Sequence, residues 1–219
     1  MAKVVGLENG RNPILELTDP DMAWCQEVYD ARMLNCRRLA ALGYTETYGA
    51  GADGVDVSER YWLGTFGEFA AASYFGLEWT GAYERGRIDV GDCMEVRAIG
   101  KPWLKLIVHP ADLPILPCVL VHVDLPHCVL KGWDWGTAIQ RPRFWCDPSR
   151  KDRWAFFYPQ KLLRPIGELC AIIPDLIQDA ADLGLSSYRH KTDRTPQRKD
   201  LFHASDRKPR DGHERPSFH

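Results

Sequence analysis

Little separates the two signs of charge in this chain: 28 Lys and Arg stand against 30 Asp and Glu in 219 residues, a formal charge of −2 with histidine neutral. A grip on nucleic acid by bulk positive charge is thereby excluded, and any such binding has to come from a local patch. No C-x-x-C pair occurs, and the seven cysteines (Cys25, Cys36, Cys93, Cys118, Cys128, Cys146, Cys170) are odd in number and widely spaced. That pattern excludes a small disulfide scaffold and fits scattered reduced thiols, so a cytoplasmic location is expected. No apolar run approaches the length of a spanning helix, because Pro, His or Asp interrupts each one, and no stretch of signal-peptide character follows MAKVVGLENGRN. Neither secretion nor membrane insertion is expected. What is present is bulk: 8 Trp, 8 Tyr and 8 Phe in a composition that is 45% hydrophobic, enough for a sizeable core.

Charge is unevenly placed. Residues 187–219 hold nine Lys and Arg, five Asp and Glu, four of the seven His and few aliphatic side chains. The segment carries about +4 and leaves about −6 on the rest. So little apolar surface cannot offset chain entropy, which predicts one folded domain over 1–186 and a basic, disordered tail over 187–219. The tail is either a solvated extension or a tether for nucleic acid or a protein partner.

Thr18-Asp19-Pro20 signals a helix start, and Met22, Cys25, Tyr29, Met33, Cys36 and Ala40 recur at helical spacing until Gly43. Residues 44–57 read as a Gly-rich loop. Asp56 and Glu59 stand in capping-box spacing ahead of a second helix through YWLGTFGEFAAASYF, with Gly76 as its stop. This helix is apolar all round, the mark of a buried central element. After it the texture turns to strands over Arg87–Val90, Met94–Ala98, Leu104–Val108, Cys118–Val123, Cys128–Gly132 and Trp154–Tyr158. An irregular stretch spans 138–153 and a last helix covers Ile172–Leu183. The order α, α, several β, α predicts an α+β fold, a mixed sheet with the buried helix lying across it.

Three acidic residues stand out. Glu68 falls on the helix stripe of Tyr61, Gly64, Ala71 or Ala72, and Phe75, among apolar or small neighbours. A buried carboxylate needs a cation, a donor or a proton, so Glu68 either pairs with a core arginine or serves a site. In IDVGDCMEVRA, a three-residue Gly91-Asp92-Cys93 loop pairs Val90 with Met94 and Asp89 with Glu95, which puts both carboxylates and Arg97 on one face. A two-residue Gly91-Asp92 turn would instead send Asp89 and Glu95 to opposite faces. In the first register, Asp89, Glu95 and the Val96 carbonyl make an oxygen set suited to Mg²⁺ or Mn²⁺, with Arg97 able to hold an attacked phosphate. The plainer alternative is a hairpin with a solvated acidic and arginine face.

Taken in order, the helix G-E-F-A-A-A, a strand bearing Asp89 and the strand Glu95-Val96-Arg97 resemble the PD-(D/E)XK nuclease superfamily. They resemble most a subgroup common in bacteriophage genomes, whose strand reads E-V-R and is followed by V-L-V…G-W…G, matched here by Val119-Leu120-Val121 and Gly132-Trp133…Gly136. The resemblance covers roughly residues 58–165. It implies a restriction-endonuclease-like core and metal-dependent hydrolysis of DNA phosphodiester bonds, with Glu68, Asp89, Glu95 and the Val96 carbonyl around Mg²⁺ or Mn²⁺. The family's usual lysine is Arg97 here, which stays protonated near neutral pH and cannot accept a proton. If Gly100-Lys101-Pro102 forms a three-residue turn, Ile99 pairs with Trp103 and Arg97 with Lys105, and Lys105 then stands beside the acidic pair as a substitute. The alternative is a catalytically silent nuclease-like module that binds DNA or a protein, as in phage assembly or host interaction.

Lys131, Arg141, Arg143, Arg150, Lys151 and Arg153 form the densest basic stretch of the body, a solvated surface or a local phosphate patch. His122 and His127 read as core-edge histidines rather than metal ligands. Trp133, Trp135, Phe144, Trp145 and Trp154 stand at strand spacing, which points to core, with base stacking as the alternative.

Overall fold

A turn at Asn9-Gly10, with φ of 52° and 70°, folds the chain back on itself, so that β1 (Lys3–Glu8) and β2 (Asn12–Glu16) form a hairpin. Asn and Gly are the residues that take positive φ at least strain. This hairpin is not among the elements expected from the sequence. The structure, a computed structural model, describes residues 2–43, 57–81, 88–148 and 154–185. The expected Gly-rich loop up to residue 56, the Asp56 cap, Arg87, Arg150, Lys151, Arg153 and the tail over 187–219 lie outside the described residues, and Val57, the loop's expected last residue, is helical.

The first long helix, α1 (Asp19–Ala41), opens on a complete capping box: the Thr18 hydroxyl accepts from the Asp21 N–H, and the Asp21 carboxylate accepts from the Thr18 N–H. Its buried face is Asp21, Cys25, Val28 and Arg32. The expected stripe lies close by, with Met22, Tyr29, Met33 and Cys36 half-buried and Ala40 exposed. Helix α2 (Val57–Phe75) stops at Gly76, whose φ is 65°. Thr65, Phe66, Gly67 and Ala70 to Ala72 are buried along it, as an apolar helix requires.

The strands that follow are β3 (Glu95–Ile99), β4 (Leu106–Val108), β5 (Pro117–Asp124) and β6 (His127–Trp135), then β7 (Trp145–Cys146) and β8 (Ala155–Tyr158). Five of them make one sheet in the order β1-β2-β6-β5-β3. The β3–β5 pair is parallel and the others are antiparallel, so the sheet is mixed. Strand β5 lies inside it between β6 and the edge strand β3, with Val119, Leu120 and Val121 entirely buried. Helix α2 lies across β3 and β5, and α1 packs on α2. The short helix α3 (Gly136–Ile139) and a 3₁₀ turn over Pro142–Phe144 give some order to the stretch expected to be irregular. The last helix, α4 (Ile166–Asp182), starts six residues earlier than its periodicity suggests, because it begins directly after Pro165 and tolerates Pro174 inside it. The architecture is α+β, a mixed sheet flanked by helices, as expected.

One expected pairing is replaced. Strand β4 lies in a second, three-stranded sheet ordered β4-β8-β7, with Leu106 opposite Tyr158. The hairpin that would set Ile99 against Trp103 and Arg97 against Lys105 does not form. Burial decides this: Leu106 and Val108 are fully enclosed with Ile99, Leu120, Ile139, Phe144 and Tyr158, a gain that a surface hairpin could not match. Lys105 is left exposed, as is Lys101.

Candidate functional site

Strand β3 is an edge of the main sheet, so N–H groups on its outer side need partners other than a strand. Asp89 supplies one, its Oδ2 accepting from the Val96 N–H at 2.9 Å. The register is that of the three-residue loop: Val90 bridges Met94, and Gly91 and Asp92 both take positive φ, 56° and 54°. Asp89 and Glu95 therefore meet on one face.

Between them stands Arg97. Its Nη1 donates to Asp89 Oδ2 at 3.0 Å, to Glu95 Oε2 at 3.1 Å and to the Val96 carbonyl at 3.0 Å. Its Nη2 donates to Asp112 Oδ2 at 2.7 Å, and that same oxygen accepts from the His109 N–H at 2.8 Å. Three of the four donors expected to surround a metal ion, those of Asp89, Glu95 and Val96, converge, and the point on which they converge is a guanidinium nitrogen.

Three carboxylates thus share one cation in a half-enclosed place. The Glu95 side chain is 5% exposed, Asp112 12%, Asp89 23% and Arg97 24%. Burial, and then the charge of Asp89, push the Glu95 carboxyl well above the usual range against the pull of Arg97. Burial also works to raise Asp112, but Arg97 and His109 outweigh it and hold that carboxylate low. For Arg97, burial opposes the charge while Asp112, Glu95 and Asp89 overcome it, so the guanidinium stays firmly protonated. Burial pushes His109 down to about 4, so its ring is neutral near neutral pH.

Glu68 is placed differently. Its Oε1 accepts from Arg32 Nη1 at 3.1 Å, and its Oε2 accepts from Arg32 Nη2 at 2.5 Å and from Trp79 Nε1 at 3.1 Å. Arg32 also donates through Nε to the Gly81 carbonyl at 3.0 Å and through Nη1 to the Thr65 hydroxyl at 3.3 Å. Of the two roles open to Glu68 in the sequence, the structure displays pairing with a core arginine. It stands within electrostatic reach of the other site, since burial first and Asp89 second raise its pKa. Yet its oxygens are engaged by Arg32 and Trp79, so it does not join Asp89 and Glu95 around Arg97. Among the described residues, no three His, Cys, Asp or Glu side chains assemble as a metal-holding group. The Asp89–Glu95 set relies on the Val96 carbonyl as its third oxygen.

A cleft of about 300 Å³ opens beside Asp89, with Leu77, Trp79, Ile88, Asp92 and Ile177 among its walls. Of the other residues marked in the sequence, Lys131 leaves the basic patch: its Nζ donates to Glu8 Oε2 at 2.6 Å and its side chain is 9% exposed. Arg141 and Arg143 are exposed, with Arg143 lying over the Phe144 ring. His122 is buried on β5 between Ile99 of β3 and Val129 of β6, and His127 is exposed. Trp133 is core, its Nε1 donating to the Pro165 carbonyl at 3.1 Å. Trp145 and Trp154 stack on one another at 5.8 Å. Three residues of the site carry no motif. Arg32 announces itself only as a charge on the Cys25–Val28 face of α1, Asp112 as an acid in a Pro-rich turn, and Trp79 not at all.

Comparison with family models, with curated proteins and with solved structures finds no match for the chain.

Proposed function

We propose that this chain is a metal-dependent nuclease of PD-(D/E)XK type, with a restriction-endonuclease-like core, that hydrolyses DNA phosphodiester bonds. The observation that carries this reading is the convergence of Asp89 Oδ2, Glu95 Oε2 and the Val96 carbonyl on one cationic nitrogen at 3.0–3.1 Å. These are hard oxygen donors, so the residues fit Mg²⁺ or Mn²⁺, with Asp89, Glu95 and Val96 as the holders. When bound, such an ion lowers the pKa of a water and offsets charge on the attacked phosphate. Arg97, always charged, binds phosphate but accepts no proton. Asp112 positions Arg97 through Nη2, and Glu68 buttresses the flank through Arg32. A Glu-bearing helix lying across a mixed sheet, ahead of the Asp89 and Glu95 segments, supports the same reading. The test is cleavage of labelled single-stranded, duplex and branched DNA with Mg²⁺ or Mn²⁺. Cleavage by the wild type that Asp89→Asn and Glu95→Gln abolish is the expected result. No cleavage, or equal cleavage in the variants, would sink the proposal.

The seat of Arg97 favours a second reading, a catalytically silent module that binds DNA or a protein partner. Its guanidinium already satisfies the oxygens that an ion would use. This reading expects no Mn²⁺ uptake by calorimetry and nucleic-acid or protein binding that is indifferent to chelator. A Mn²⁺ isotherm that disappears in Glu95→Gln would exclude it.

A further inference from the structure

We infer that Arg97 is a displaceable plug: in the metal-free protein its guanidinium fills the cation position between Asp89, Glu95 and the Val96 carbonyl, and a divalent ion can enter only by expelling it. The inference rests on the metal-site reading given above and adds the device that controls access to it.

The geometry has three parts. First, Nη1 is at hydrogen-bond distance from all three oxygens together, 3.0 to 3.1 Å. An ion using the same lone pairs would fall inside the nitrogen's contact envelope and meet a like charge, so the two cations exclude each other. Second, the plug is anchored. Nη2 holds Asp112 at 2.7 Å, and Asp112 is itself fixed by the His109 N–H, so the guanidinium is tied at two nitrogens. Third, it has a way out. β3 is an edge strand and the Arg97 side chain is 24% exposed, so withdrawal requires neither strand separation nor movement of the core. Expelling the plug lowers the apparent metal affinity by the fraction of molecules in which the seat is open. The freed guanidinium remains beside the site with its donors facing solvent, which is where a phosphate would arrive.

The experiment titrates Mn²⁺, without DNA, into the full-length wild type, Arg97→Lys and Arg97→Gln, by calorimetry and by thermal melting in Mn²⁺ against EDTA. Melting in EDTA also reports whether each variant is folded, and Arg97→Lys keeps a counterion for the carboxylates should Arg97→Gln fail. Lysine keeps the charge but has a single nitrogen and cannot hold Asp112 and the three oxygens at once. The expected order of affinity is therefore Gln over Lys over Arg, with Arg97→Gln about tenfold or more tighter than wild type. Arg97→Lys matching the wild type would overturn the plug, since only net charge would then matter. Equal affinity in all three proteins would overturn it while leaving the metal site standing. Absence of Mn²⁺ binding in all three would overturn both the plug and the metal-site reading.

Discussion

Gly67 of α2 and Ala98 of β3 meet so closely that a Cβ built on Gly67 would stand 2.6 Å from the Ala98 Cβ and 3.6 Å from its Cα. Glu68 follows Gly67 and Arg97 precedes Ala98. This one contact therefore sets the spacing between the Arg32–Glu68 pair and the cluster around Arg97.

Helix propensity and packing give opposite signs for Gly67→Ala. Alanine is favoured over glycine in a helix interior by about 1 kcal/mol, whereas overpacking a filled site costs about 1–3 kcal/mol. The obstructing atoms belong to a strand and cannot swing aside, so packing wins. Gly67→Ala is expected to lose about 1 kcal/mol net, and Gly67→Val more. Urea denaturation measures both, and a stabilised Gly67→Ala would mean that α2 does not approach β3 this closely.

Arg32→Met leaves Glu68 buried with only Trp79 as a donor among the partners named. Removing one member of a buried pair costs about 3–5 kcal/mol. Glu68 already lies above the ordinary 4.5, through burial and then Asp89, and loss of Arg32 moves it further up. A carboxyl whose folded pKa exceeds its unfolded value adds stability below the unfolded value and loses it as pH rises through the folded one. The penalty of Arg32→Met is therefore expected to be smaller at pH 5 than at pH 8. Denaturation at both pH values checks this, and a penalty independent of pH would show that Glu68 does not carry it.

Legibility in the sequence followed the distance over which each feature is decided. The start of α1 at Thr18-Asp19-Pro20 is settled within a few residues and was readable, whereas the three-residue Gly91-Asp92-Cys93 register was one of two that the sequence left open. The burial of Glu68 was readable too, but its partner was not, because Arg32 lies 36 residues away on another helix. Asp112 comes to Arg97 only because the chain leaves β3 for a different sheet, the departure that also carried Lys105 away. The first hairpin had its Asn9-Gly10 turn in plain view, yet its place in the sheet depends on pairing of Ile14 with Val129. The G-W motif proved to be packing. Gly132 has φ of 137°, and a Cβ there would stand 2.7 Å from the Arg164 carbonyl, so the motif marks close backbone approach.

Glu95→Gln is expected to stabilise the protein near neutral pH. Burial first, and then Asp89, keep the Glu95 carboxyl well above 4.5, so the wild type gains from this group below the unfolded value and loses that gain as pH rises. Glutamine removes the titration while keeping an oxygen for Arg97. Melting temperatures measured from pH 5 to pH 8 should fall less with pH in Glu95→Gln than in wild type, with the variant ahead at pH 8. A variant less stable at pH 8 would show that the ion pair with Arg97 outweighs desolvation.

The final prediction separates the tail from the body as a source of DNA affinity. Residues 187–219 carry nine Lys and Arg, while the body's Lys131 is bound to Glu8. Each phosphate neutralised on duplex DNA contributes about 0.9 to the slope of log affinity against log salt. Replacing all nine of the tail's cations (Arg189, Lys191, Arg194, Arg198, Lys199, Arg207, Lys208, Arg210 and Arg215) by Gln in the full chain should flatten that slope by up to about 8.1 if every one contacts phosphate. Fluorescence anisotropy over a salt series, in EDTA to prevent cleavage, gives the slope directly. A slope left unchanged would place the phosphate contacts on the body, where Arg97 is half-exposed and Lys101, Lys105, Arg141 and Arg143 are exposed. In that case Arg141→Gln together with Arg143→Gln should flatten it instead, and a chain that binds no DNA at any salt would remove the nucleic-acid reading altogether.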